Sequence, residues 1–171
     1  DIYIYNGRQM YFYSSKVRDV DGERGPTKPL TNLWMDIPWN GIAAEGGVRL
    51  KNGKKPERLI RRCLQLASDP GDLILDSFAG SGTTGAVAHK MHRRWLMVEL
   101  EQHAETLAQK RLSRVVSGED NTGVSKVAGW DGGGGFRYCR LSSSLFDEHG
   151  NIAEAVSFAD LARHVFFTET G

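Results

Sequence analysis

The densest chemistry in the chain lies in Asp76-Ser77-Phe78-Ala79-Gly80-Ser81-Gly82-Thr83-Thr84-Gly85, with a second acid at Glu99. An apolar run, Leu73-Ile74-Leu75, precedes this stretch, and a helix-like segment from about Thr84 to Met91 follows it. Strand, glycine turn and helix in that order let a main chain approach a nucleotide-like ligand closely. Gly80 and Gly82 have no Cβ and tolerate positive φ, so a ligand can lie against the backbone there. Asp76 falls at the carboxyl end of the first strand, beside that ligand. Glu99 closes a second apolar strand, Trp95-Leu96-Met97-Val98, where an acid can accept from both hydroxyls of a ribose.

Two cofactor classes compete for this pattern. Gly80-Ser81-Gly82-Thr83-Thr84-Gly85 satisfies GxGxxG, and Glu99 follows about twenty residues on, as in a dinucleotide site. A dinucleotide, however, sets a pyrophosphate at the helix start, where amide donors and the helix dipole favour anions. Asp76 would work against that charge. S-adenosylmethionine has no phosphate and carries a sulfonium and an ammonium. Asp76 can accept from the ammonium while the helix start receives the methionine carboxylate. The acid therefore favours S-adenosylmethionine, with an NAD-dependent oxidoreductase as the remote rival.

The elements that must position these groups follow from periodicity and turn chemistry. Ile2 to Tyr5 and Met10 to Tyr13 read as two short strands joined at Asn6-Gly7, a hairpin signal. Asp19 to Leu30, polar and holding Gly22, Gly25, Pro26 and Pro29, reads as a linker, and Gly41 to Lys54 as a glycine-rich loop. Pro56 suits a helix start, and the helix runs to about Ala67 with Leu59, Ile60, Cys63, Leu64 and Ala67 on one face, which makes Cys63 a core thiol. Leu73 to Leu75 shows no alternation, as expected of a strand buried on both faces of a parallel sheet. A third helix, about Ala104 to Val116, sets Leu107, Ala108, Arg111, Leu112 and Val115 at helical spacing. Ser117 to Gly135 is a loop, Phe136 to Leu141 a strand, and a final amphipathic helix packs Phe158, Leu161, Val165 and Phe166 against the body.

The chain has 171 residues and a formal charge of +1, so average charge neither favours nor excludes nucleic acid. Arg49, Lys51, Lys54, Lys55, Arg58, Arg61 and Arg62 crowd around Glu57. Such a run suits either a solvated helix face or DNA phosphates. Two cysteines, Cys63 and Cys139, make neither a disulfide framework nor a metal site, and the five histidines lack ligand spacing, so no metal is assigned. No apolar stretch is long enough to span a bilayer.

Lys55-Pro56-Glu57-Arg58-Leu59-Ile60, then Asp76 through Thr84, then Val98-Glu99-Leu100 occur in an order that resembles the amino-group DNA methyltransferases of the β arrangement. Trp130 to Tyr138 and the tail Phe166 to Gly171 resemble the modification subunits of type III restriction systems. The resemblance implies an α/β, Rossmann-like S-adenosylmethionine-dependent methyltransferase fold of which this chain carries the cofactor half. Residues 1–32 form a hairpin arm and linker ending a target-recognition region, and residues 33–171 form the cofactor-binding half. It implies a cofactor site of Asp36, Ile37, Lys55, Asp76, Phe78, Ala79, Gly80, Ser81, Gly82, Thr83, Thr84 and Glu99, with Trp34 to Ile37 beside the adenine.

The implied reaction is methylation of adenine N6 in double-stranded DNA. Cytosine N4 and a non-catalytic cofactor-binding module are the alternatives. The implied setting is the bacterial or archaeal cytoplasm, with a restriction subunit or a second copy as a possible partner of the intact protein. One departure matters. The Asp-Pro-Pro-Tyr type of catalytic loop is absent from the sequence, and Asp36-Ile37-Pro38-Trp39 has a single proline. No residue is therefore assigned catalysis, and the chain is expected to be the carboxyl-terminal piece of a longer methyltransferase, inactive on its own.

Overall fold

The computed structural model describes residues 3–6, 8–10, 16–20, 23–27, 31–141 and 143–170. Two compact units divide the chain, Asp1–Phe136 and Arg137–Gly171. In the first, β1 (Tyr3–Tyr5) pairs antiparallel with β2 (Arg8–Met10) in the register Ile4 to Gln9. The expected hairpin is there, its second strand starting at Arg8 rather than Met10; residues 11–13, like Ile2 and Gly7, lie outside the described residues. The expected linker after it instead contains a second hairpin, β3 (Val17–Val20) and β4 (Glu23–Pro26). Asp21-Gly22 between them is a favoured hairpin dipeptide, a signal that the polar composition obscured; residues 21, 22 and 28–30 are outside the described set.

A 3-10 turn, Ile42–Gly47, precedes α1 (Glu57–Ala67), whose N-cap is Pro56. Proline at the cap leaves no amide to satisfy. Then come β5 (Leu73–Asp76), α2 (Thr83–Lys90) and β6 (Arg94–Met97), the two strands parallel with Asp76 opposite Met97. A wide helical turn of π type, Ala104–Gln109, runs directly into α3 (Lys110–Ser117), and a short α4 (Ser125–Ala128) sits inside the glycine-rich stretch expected to be loop. The second unit holds α5 (Phe158–Thr170) and a single antiparallel bridge between Phe146 and Ile152.

Leu64, Val87, Ala88 and Val124 form the core, with Ile60, Ile74, Met91 and Trp95 packed against it. Only one face of the β5–β6 pair joins it. Leu73 and Leu75 are each more than half exposed, as are Leu96 and Val98. The strands are thus not buried on both faces, because α2 covers one side of the pair, with α1 packed on α2, and the described residues supply no layer for the other. Cys63 is exposed too: the inward stripe of α1 is Glu57, Ile60 and Leu64, and position 63 lies off it. Phe136 to Leu141 forms no strand. Of the apolar residues expected on one face of α5, Phe158, Val165 and Phe166 are exposed and Leu161 is partly buried.

The centre of the first unit is ionic. Glu57, Lys90 and Arg111 have no exposed side-chain surface, and Asp120 has almost none. Lys90 donates to both oxygens of Glu57 (3.0 and 2.9 Å) and to Asp120 Oδ2 at 2.8 Å. Arg111 Nη2 donates to Glu57 Oε1 at 2.7 Å. Burial would raise the Asp120 carboxyl, but the bonds from Lys90 and Thr122 outweigh it and hold the group below its ordinary range. At the surface, Arg62 forks onto Asp36 through 2.9 and 2.5 Å bonds and ties the segment before the 3-10 turn to α1. Those bonds hold the Asp36 carboxyl down at about 2.

Two outcomes are expected. Lys90→Met leaves two buried acids facing one cation, and urea unfolding should show a loss of about 3–5 kcal/mol, as for other broken buried pairs; a loss below about 1 kcal/mol would show that the network contributes little. The Asp36 carboxyl, followed by NMR, should titrate near 2 and move up into the ordinary carboxylate range in Arg62→Ala. The sign follows from the lowered value: the tether is intact above the ordinary carboxylate range and is lost as pH falls through the folded value.

Candidate cofactor site

The β5–β6 register brings the two acids of the sequence to one place. β5 ends at Asp76 opposite Met97, Val98 N–H donates to Asp76 O at 2.8 Å, and Ala79 N–H donates back to Val98 O at 3.0 Å. The chain after β6 thus runs alongside the turn after β5. Asp76 Oδ1 accepts from Phe78 N–H at 3.0 Å. Glu99 Oε2 accepts from Gly80 N–H at 2.6 Å, and Oε1 from Glu101 N–H at 3.1 Å. Both carboxylates therefore lie beyond the carboxyl ends of two parallel strands, where ligands of open α/β sheets sit.

Gly80 (φ 52°) and Gly82 (φ 73°) are both left-handed, a conformation that side-chain-bearing residues adopt at a cost. Gly82 is also the N-cap of α2, and a Cβ on it would stand 3.0 Å from that of Ala108. Close contact with the helical segment before α3 thus sets how deep the turn sits. Gly80 is different: a Cβ there would meet only Leu50, at 3.5 Å, and the backbone atom of Phe78.

The remaining candidates separate. Ala79 is buried, and Phe78 stands outward at 89% exposure on the rim. Ser81 and Thr83 are buried, their hydroxyls 3.3 Å apart, and Thr83 Oγ1 accepts from Arg111 Nη1 at 2.7 Å. The Thr83 hydroxyl therefore turns into the protein, while Thr84 is half-buried at the start of α2. Ile37 is buried and Asp36 is held by Arg62, whose guanidinium also lies 5.3 Å from the Trp34 ring. Lys55 is exposed, its ammonium 5.9 Å from the Trp39 ring. Its neighbour Lys54 is the buried one: it donates to the carbonyls of Ala43, Glu45 and Val48 and so holds the 3-10 turn in shape. Burial lowers its affinity for the proton and raises that of Glu45, which accepts from Glu57 N–H at 2.9 Å.

The sequence reading missed the layer beneath the turn. Arg111 was visible as a charge inside an apolar stripe, between Ala108, Leu112 and Val115; a charged residue in a core position implies a buried partner. Of the basic run, Lys54 and Arg62 are thus engaged within the protein, which removes them from a common phosphate-binding face. Among the described residues no group of histidine, cysteine and acidic side chains is placed to hold a metal ion, and no helix is long and apolar enough to cross a membrane.

Comparison with known proteins adds the lineage. Over 136 residues the chain is 43% identical to the probable type III restriction-modification enzyme HindVI Mod subunit of Haemophilus influenzae, covering 79% of this chain and 16% of that protein. It is 39% identical over 74 residues to the type II methyltransferase M.HinfI of Haemophilus influenzae, covering 43% of the chain and 21% of the relative. It is 44% identical over 59 residues to the type II methyltransferase M2.DpnII of Streptococcus pneumoniae, covering 34% and 22%. The chain thus spans about a fifth or less of the length of these curated relatives. Among solved structures, the M1.HpyAVI–SAM complex matches at 29% identity and a TM-score of 0.33, over 38% of this chain and 36% of that one. The description of the DNA methylase family matches residues 5–110, more than half of the chain, including the Asp76 turn and Glu99. The chain belongs to the DNA methylase family, and its β5–α2–β6 unit is part of that family's Rossmann-like α/β fold.

Proposed function

We propose that this chain forms the S-adenosylmethionine-binding half of a methyltransferase that modifies adenine N6 in double-stranded DNA. The observation that carries the reading is the convergence of Asp76 and Glu99 on one glycine turn. A pyrophosphate would face both acids there. A phosphate-free nucleoside with an ammonium and a ribose offers each acid a donor, so the residues present fit S-adenosylmethionine. When bound, that cofactor supplies an activated methyl group.

The chain's own share is binding and orientation. Glu99 accepts from the ribose hydroxyls, a carboxylate having lone pairs for more than its present amide donors. Asp76 accepts from the ammonium, and Lys55 and Thr84 serve the methionine end. Ile37 and the Asp36 segment, braced by Arg62, flank the adenine with Phe78 at the rim. Fixing the donor in this way removes translational and rotational freedom before reaction. The target base must leave the duplex stack to reach the methyl group. The catalytic loop that would receive it is not among these residues, so methyl transfer belongs to the intact protein. A bacterial or archaeal cytoplasmic setting and pairing with a restriction subunit belong to the same reading, the latter supported by the likeness to a Mod subunit.

Calorimetric titration of the 171-residue chain should show binding of S-adenosylmethionine and none of NAD. Asp76→Asn should weaken that binding about tenfold or more, the scale of one hydrogen bond to a charged group, with the melting temperature unchanged. Tritiated methyl transfer to duplex DNA by this chain alone should stay at background. Preference for NAD overturns the assignment, and methyl transfer by the isolated chain overturns the division of labour.

A further inference from the structure

Arg111 has a buried side chain that no part of the proposed chemistry uses. It reaches from α3 to the underside of the glycine turn. Nη1 donates to Thr83 Oγ1 at 2.7 Å and lies 3.5 Å from both the carbonyl and the hydroxyl of Ser81. Nη2 is fixed by Glu57, which Lys90 and the amide of Val124 hold in turn. A Cβ on Gly46 would run into the guanidinium and its stem, so the 3-10 turn presses on the side chain from another direction. Nε is buried with no hydrogen-bond partner. An unsatisfied buried donor is costly and persists where neighbouring contacts fix the group.

We propose that Arg111 is a positioning residue for the cofactor turn, setting Ser81 and Thr83 from below so that the turn receives the amino-acid end of the ligand. The inference rests on the reading of the turn as a cofactor site. It goes beyond that reading by giving the two ends of the ligand separate supports. Arg111 bonds to the segment between Gly80 and the start of α2, the part that faces the carboxylate end. Glu99, assigned to the ribose, follows β6 and holds the Gly80 amide, ahead of the residues that Arg111 holds. The planar fork matters because it bonds Thr83 and Glu57 at once. A lysine offers a point charge on a flexible stem and cannot reproduce that geometry.

The test uses the 171-residue chain with Arg111→Lys and Arg111→Met, two ligands and one ligand-free readout. S-adenosylmethionine has the amino-acid end; 5′-methylthioadenosine has the nucleoside and lacks that end. Titration should show S-adenosylmethionine weakened at least tenfold by Arg111→Met and less by Arg111→Lys, with 5′-methylthioadenosine changed less than twofold in both. Equal weakening of the two ligands overturns the proposal, because general loss of structure lowers both.

Hydrogen exchange of the free chain should show the amides of residues 80–83 losing protection in Arg111→Lys while those of α2 keep theirs. Unchanged protection at 80–83 overturns the proposal as well. If Arg111→Met fails to fold, Arg111→Lys and Thr83→Val carry the exchange measurement, since either removes the bond between Arg111 and Thr83. If the unmodified chain binds neither ligand, the functional reading fails, and exchange at residues 80–83 alone decides the role of Arg111.

Discussion

Glu57, Lys90, Arg111 and Asp120 meet where no water reaches them, and the architecture of the larger unit is arranged around that meeting. Removing four charges from water is costly, and mutual attraction offsets the cost only when every charge is closely matched. Here the charges cancel in number and are bonded at 2.7–3.0 Å. Each comes from a different segment: α1, the last turn of α2, α3 and the turn before α4. Thr122 extends the set, accepting from Gly46 N–H while its hydroxyl donates to Asp120. An ionic centre of this kind is demanding in geometry, since displacing one member strands another. It defines one relative placement of four elements more sharply than a patch of interchangeable methyl groups of equal volume.

The glycine turn takes part of its shape from that centre. Its upper boundary is set by strand register, which brings Glu99 to the amide of Gly80. Its lower boundary is set by Ala108 against Gly82 and by Arg111 against Thr83. Backbone atoms able to face a ligand are thus held from above by a carboxylate that itself borders the turn and from below by groups buried beneath it. This arrangement lets a loop, the most mobile kind of segment, present atoms as firmly as a helix or strand does.

Much of this was legible in the sequence because local rules dominate it. The glycine turn, Asp76 at a strand end and Glu99 at the next follow from spacing alone, and the structure brings all three together. The helix starting after Pro56 and the segment from Ala104 onward also follow their periodicities. What stayed hidden depends on partners far away in the chain. Cys63 fits a helical apolar pattern, but which stripe of α1 turns inward is decided by the pull of Lys90 and Arg111 on Glu57. Leu73 and Leu75 look like residues of a strand covered on both faces, whereas coverage is a property of the neighbouring layers. Lys54 and Lys55 are adjacent and chemically identical, yet one binds two carbonyls of the 3-10 turn and that of Val48 just after it, and the other rests near Trp39. Composition cannot tell them apart, because the difference is the direction in which each side chain leaves the backbone.

The depth at which charges lie has a further result. Mobile ions screen only what they can approach, over roughly 10 Å at 0.1 M salt. Ionic strength therefore sorts the charged contacts of this chain by depth. Added electrolyte slackens the exposed strut between Arg62 and Asp36 and leaves the dry quartet untouched. Salt thus loosens a surface tether of α1 while the ionic floor beneath the glycine turn stays fixed, so two charged contacts on one helix answer differently to the same buffer.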